Sequence, residues 1–317
     1  MNKNNLQVVC AFFLIVLLSI SVDFRAEAKS KFNDDSAKSD IIDTKRLLKD
    51  VKFLSSDELK GRETGTKENE IARKYVVKRF KESGIEPFES GYIQKFSFRN
   101  RQGKEFKGAN VVGVIKGKSE PQKFIVISAH FDHIGVRNGE IYNGADDNAS
   151  GTAALFAIAE YFSKHQPNKS LVFAAFDAEE KGLQGARYFV ENPSVKLGEI
   201  LLNINMDMIS RNVNGELYAA GTFPYPQLKP YLETVQQNAK VKLLLGHDNP
   251  NLGRDDWTFQ SDHGAFHRKQ IPFIYFGVED HKDYHKPTDD FENIQPEFYV
   301  KAVETILSAT KEFDANL

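Results

Sequence analysis

LVFAAFDAEEKG, residues 171–182, is the stretch on which the fold turns. Six largely apolar residues, read as a strand over 170–176, end abruptly in Asp177, Glu179 and Glu180. Adjacent carboxylates repel and raise each other's pKa, so this cluster implies positive charge nearby.

Working outward, helical and strand periodicities alternate. A helix is expected over 147–164, a second over 182–190, and a strand over 199–206. Strand-like runs precede them at YIQKFSF, ANVVGVIKG and KFIVISAH, and others follow near 216–220 and 272–276 before a closing helix at 296–312. That alternation predicts an α/β domain with a mostly parallel central sheet, whose sites sit at the carboxyl ends of the strands. Two helices open the domain: Leu47, Leu48, Val51 and Leu54 share one face, and Ile71, Tyr75, Val76 and Phe80 another, with Gly84 as the stop. Residues 221–262 have weak periodicity and several Pro, Gly and Asn residues, which predicts a loop-rich lid or wall.

The ends of the chain bound its class. Residues 1–28 combine Lys3, the apolar run VVCAFFLIVLLSISV and Ala26-Glu27-Ala28, the pattern of a cleaved signal peptide rather than of an anchor. A polar leader over 29–43 is expected to be disordered, and 44–317 to form a single domain. Cleavage would remove Cys10, the only cysteine, and with it any disulfide or thiolate ligand. A formal charge of -2 leaves no footprint for nucleic acid.

Further strand ends carry acids and imidazoles. His130 and Asp132 follow FIVISA; Asp146 and Asp147 stand in a turn before a helix; Asp207 follows ILLNINM; His281 and His285 lie in EDHKDYHKPTDD. Each alone has an ordinary reading. An Asp before a helix caps it, Asp289 and Asp290 read as solvated turn residues, and His281 as an exposed loop histidine. Converging on one sheet edge, however, they would concentrate negative charge at a cost that two divalent cations would remove. Nitrogen and oxygen donors without sulfur suit zinc, with manganese or cobalt as substitutes.

The pieces SAHFDH, GADDNASG, FDAEEKGLQGARYF, NMDMIS and DYHKPTDDFENI, with LSSDELKGRETGT near the start, resemble the secreted dizinc aminopeptidases of metallopeptidase clan MH. The resemblance implies a three-layer α/β/α zinc-exopeptidase fold over about 45–313. It implies that His130 and Asp207 hold one zinc, Glu180 and His285 the other, and that Asp147 bridges both. Asp132 would orient His130, Glu179 would be general base and acid, and Tyr284 would help stabilise the oxyanion. A cis peptide is expected after Asp147. SDHGAF resembles a further family segment, which makes Asp262 and His263 candidate substrate-side groups; Trp257 would shape the pocket while Phe259 packs in the core. The implied substrates are peptides with a free N-terminus. Relatives on this scaffold include glutaminyl-cyclase-like acyltransferases, which typically use one zinc and replace the NASG turn, and receptor-like proteins that lose ligands or the base. Asn148-Ala149-Ser150-Gly151 and all five ligand positions are present here.

Overall fold

The computed structural model describes residues 37–317. The expected signal peptide and the first part of the leader lie outside the described residues. From Ala37 the leader is packed rather than disordered. Ala37 and Ile42 join the core, and the Ser39 hydroxyl donates to Glu304 at 2.5 Å, because the helix Pro296–Asn316 offers both apolar residues and an acceptor.

Two helices come first, α1 (Thr44–Leu54) and α2 (Lys67–Glu82). Asp43 caps α1 by accepting from the Arg46 N–H, and Thr66 caps α2 by accepting from the Asn69 N–H. Gly84 ends α2 at φ +78, where a Cβ would meet Ser163 Cβ at 2.7 Å. Next come β1 (Glu86–Pro87), β2 (Ile93–Arg99), β3 (Glu105–Ile115) and β4 (Glu120–His130). The hairpin of β5 (Gly135–Arg137) and β6 (Glu140–Tyr142) leads through a wide turn, Ala145–Ser150, into α3 (Gly151–Lys164). Then β7 (Lys169–Phe176), α4 (Gln184–Glu191), β8 (Ile200–Met206) and β9 (Glu216–Ala220) follow. The chain closes with α5 (Lys229–Gln236), β10 (Lys242–Leu245), α6 (His263–His267), β11 (Phe273–Gly277) and α7 (Pro296–Asn316).

The main sheet has the order β1-β3-β7-β4-β8-β11-β9-β10, with β2 added to β3. Its centre, β7-β4-β8-β11, is parallel; β3 and β9 join that centre antiparallel on either side. Every residue of β7 is buried, as expected for a strand covered on both faces. Alternate residues feed two cores. Leu171, Phe173 and Ala175 pack with the helices α1, α2, α3 and α7, whereas Val172, Ala174 and Phe176 pack with Ala186 and Phe189 of α4 and Phe266 of α6. Residues 221–262 are more regular than their weak periodicity suggests: α5 and β10 lie within them, and β10 extends the sheet parallel to β9. Among the described residues no helix is long and apolar enough to cross a membrane.

Candidate metal centre

Because β4, β7, β8 and β11 run parallel, their carboxyl ends share one edge. His130 is the last residue of β4, Glu179 and Glu180 follow β7, Asp207 follows β8, and His285 lies in the loop after β11. Asp147 enters from the wide turn before α3. That turn is tight enough to require Gly151, where a Cβ would lie 2.6 Å from the Met206 carbonyl oxygen. The Asn148 side chain donates to the same oxygen at 2.9 Å, which ties the Asp147 turn to the end of β8. The Asp147–Asn148 peptide is cis, as the resemblance implies. Left-handed backbone at Ala178, Leu183, Met208 and His285 flanks the same groups, a concentration of strain common at functional sites.

The five expected ligands converge. His130 Nε2 lies 3.3 Å from Asp147 Oδ1 and 3.3 Å from Asp207 Oδ1. His285 Nε2 lies 3.1 Å from Asp147 Oδ2 and 3.5 Å from Glu180 Oε2. Two ligands of a tetrahedral zinc, each about 2.0–2.1 Å from the ion, stand about 3.3 Å apart, so these separations fit a donor set around a cation. Hydrogen bonding fits it as well: His130 Nε2, Asp207 Oδ1 and Glu180 Oε1 are buried without a hydrogen-bond partner. Orphaned buried donors and acceptors are costly, and a cation satisfies them together. An oxygen of Glu179 and the ligand atoms of His130 and Asp207 lie within 4.8 Å of one another, which puts Glu179 at the first donor set.

Electrostatics follow the same division. Burial alone would raise the Asp147 carboxyl, but His133, His130 and His285 around it hold it well below the usual carboxylate range. Glu179 goes the other way: burial pushes it up, His130 opposes this, and Asp207, Asp262 and Glu180 push it further. At His130 burial is outweighed by Asp207, Glu179 and Asp147, which raise the imidazole well above its ordinary value.

Several assignments change once the structure is in view. The Asp132 carboxylate does not hydrogen-bond His130: the ring Nδ1 is 3.2 Å from the Asp132 backbone oxygen and 3.7 Å from its side chain. Instead Asp132 Oδ1 accepts from the Glu179 N–H at 3.0 Å and so holds the Glu179 backbone. Asp289 is fully buried rather than solvated, accepting from the N–H groups of Asp146 and Asp147 at 3.0 Å each. Asp290 is half-buried and accepts from Asn143. Asp146 caps nothing; it accepts from Ser210 and meets His281, which is thereby a bonded, half-buried residue. His263 is buried between Phe273 and Tyr275 with Nε2 2.8 Å from the Trp257 carbonyl oxygen, and burial lowers its pKa to about 3. It packs a wall and does not face substrate. Asp262 is also fully buried, lies off the cavity surface and is raised to about 8 by burial against partly offsetting His130. Phe259 is 46% exposed and lines the cavity with Trp257, so it is not a core residue.

Four residues outside the expected set belong to the site. His133 is buried with Nδ1 2.7 Å from Glu180 Oε1 and 3.7 Å from Asp147 Oδ2. The second imidazole of HFDH was its available signal. Asp177 accepts from Thr64, Asn69 and the Ala109 N–H, and Thr64 also donates to Asp132. Tyr275 donates to the Asp207 backbone oxygen at 3.2 Å. Asp289 is the fourth. Since it holds the N–H of Asp147 and of the residue before it, Asp289→Asn, which keeps size but loses one acceptor, is expected to weaken zinc affinity about 10–100-fold with folding retained. Competition with a chromophoric chelator measures this; unchanged affinity would refute the positioning role.

A cavity of about 410 Å³ opens over the centre, lined by Asp147, Glu179, Glu180, Asp207, Tyr284 and His285 among others. Tyr284 stacks on the His285 ring with centroids 4.0 Å apart.

A model of peptidase family M28 matches residues 110–310. Aminopeptidase YwaD of Bacillus subtilis is 30% identical over 213 residues, 64% of this chain and 44% of that protein. A vacuolar membrane protease of Schizosaccharomyces pombe is 28% identical over 195 residues, 56% of this chain and 22% of that protein. The chain thus spans less than half the length of these relatives. In fold it is similar to BSAP, a zinc aminopeptidase from Bacillus subtilis, with a TM-score of 0.71 at 17% identity over 85% of this chain and 95% of that one. It is equally similar to Porphyromonas gingivalis glutaminyl cyclase, with a TM-score of 0.71 at 17% identity over 87% and 100%. With the family model covering more than half of its residues, the chain belongs to peptidase family M28.

Proposed function

We propose that the chain is a dizinc aminopeptidase that hydrolyses N-terminal residues from peptides. One observation carries the reading: the two oxygens of Asp147 face different imidazoles, Oδ1 toward His130 and Oδ2 toward His285. A carboxylate so placed suits a bridge between one cation held with Asp207 and another held with Glu180. When bound, such a pair supplies an acidified water and polarises the scissile carbonyl. Glu179, beside the first donor set, takes the proton from the attacking water and returns it to the leaving amine. Asp132 holds the Glu179 backbone, and the Tyr284 hydroxyl, on the cavity wall, stabilises charge on the carbonyl oxygen. The surrounding carboxylates orient the substrate's free ammonium. The lysine-started apolar segment and Ala26-Glu27-Ala28 support export, to periplasm or medium.

The test uses two unblocked peptides, one beginning with Leu and one with Gln, with and without a chelator, and reads products by mass spectrometry. The expected result is loss of the first residue, abolished by chelation and restored by zinc. Loss of ammonia from the Gln peptide alone would overturn the reading in favour of a cyclase.

A further inference from the structure

The cavity over the candidate centre carries two positive charges that form no ion pair among the described residues. Arg187 on α4 and Arg268 just beyond α6 both line it. Among the described residues no carboxylate oxygen lies within 4.0 Å of either guanidinium. The Arg268 guanidinium sits 4.6 Å from the centroid of the Phe259 ring and donates to the Gly264 carbonyl at 3.3 Å. Partial burial, and then the charge of Arg187, lower the Arg268 guanidinium below its ordinary value, so the two like charges feel one another. Their helices are locked together: Phe189 of α4 and Phe266 of α6 have ring centroids 5.8 Å apart in one core.

Leu183, Met208, Trp257, Phe259 and Val278 add apolar side chains to the same, mostly polar, cavity. Trp257 is held in place by stacking on His247, with ring centroids 3.7 Å apart and the rings nearly parallel. A cavity that combines the carboxylates of the candidate centre with two guanidinium groups lacking a carboxylate partner suits a molecule that carries both an ammonium and a carboxylate. Guanidinium forks pair with carboxylates in bidentate geometry, which makes arginine the suited residue.

Resting on the aminopeptidase reading, we infer that Arg187 and Arg268 receive a substrate carboxylate, so that anionic peptides are this enzyme's preferred class. The carboxylate has two sources, an acidic side chain on the first residue or the free C-terminus of a very short peptide.

Two arms separate them. In the first, kcat/KM is measured for C-terminally amidated tetrapeptides beginning with Glu, Gln or Leu. In the second, it is measured for a Leu-first dipeptide with a free and with an amidated C-terminus. The expected result is a preference of about tenfold or more for the carboxylate over its neutral counterpart in one arm, which names the source. In Arg187→Gln/Arg268→Gln that ratio is expected to fall toward one, and Arg268→Glu is expected to shift preference toward Lys-first peptides. Trp257 is the chain's single tryptophan, so its emission reports whether each variant keeps the cavity intact. Equal kcat/KM within both arms, with the Leu-first peptides hydrolysed, overturns this inference and leaves the aminopeptidase reading standing. No hydrolysis of any peptide overturns both.

Discussion

Glu179→Gln is expected to lower kcat by about 10²- to 10⁴-fold while the protein keeps its full metal content. The substitution preserves size and removes only the ability to take up a proton. Its neighbour provides the contrast. Glu180→Gln is expected to lose metal, since Glu180 Oε1 is buried 2.7 Å from His133 Nδ1 and Oε2 lies 3.5 Å from His285 Nε2, in a second group of potential ligand atoms. Metal content measured beside kcat therefore separates two adjacent carboxylates that sequence alone shows only as a pair. The division is physical: Glu179 joins His130 and Asp207, whereas Glu180 joins His133 and Asp147. Burial and the nearby Asp207, Asp262 and Glu180 raise the Glu179 carboxyl, with His130 opposing them. A Glu179→Gln enzyme that retained more than a tenth of wild-type kcat would remove Glu179 from the proton transfer.

What the sequence made legible was whatever is local. The apolar run of β7 and the acids after it, and the helix stop at Gly84, express short-range pattern and stand where expected, and the five candidate ligands come together at one edge of the sheet. What stayed hidden depends on partners far along the chain. Asp289 looks like a turn residue because its acceptor role is exercised on Asp146 and Asp147, more than 140 residues earlier. Asp177 reads as one more acid in a cluster until Thr64, Asn69 and Ala109 fold onto it. The segment 221–262 misled for another reason: α5 and β10 are short, and periodicity over eight or four residues is too brief to register. Phe259 reads as a core residue in sequence, yet it lines the cavity, which also needs apolar side chains.

Arg62→Met is expected to destabilise the fold by about 3–5 kcal/mol, the cost of removing one partner from a buried charged network. Arg62 ends the turn Asp57–Arg62 in left-handed backbone and is fully buried. Its Nε donates to the Phe131 carbonyl at 2.7 Å, Nη1 to those of Leu54, at 2.6 Å, and Asn143, and Nη2 to that of Gly144 at 3.0 Å. One guanidinium thus ties the segment bearing His130 and Asp132 to the turn bearing Asp147. Burial lowers its pKa to about 10, while Asp147, Asp132 and Asp289 resist that change, so it remains charged at neutral pH and offsets part of the acidity around it. Lysine cannot replace it: a single ammonium has three donors on one point and cannot span four carbonyls set around a planar fork. Arg62→Lys is therefore expected to recover only part of the loss. Urea unfolding of the zinc-loaded protein measures both variants, a fall in midpoint at unchanged slope being the signature of lost stability rather than altered compactness. A loss below about 1 kcal/mol for Arg62→Met would mean that the four carbonyls find water or other donors without it, and that the acidic edge does not depend on this guanidinium.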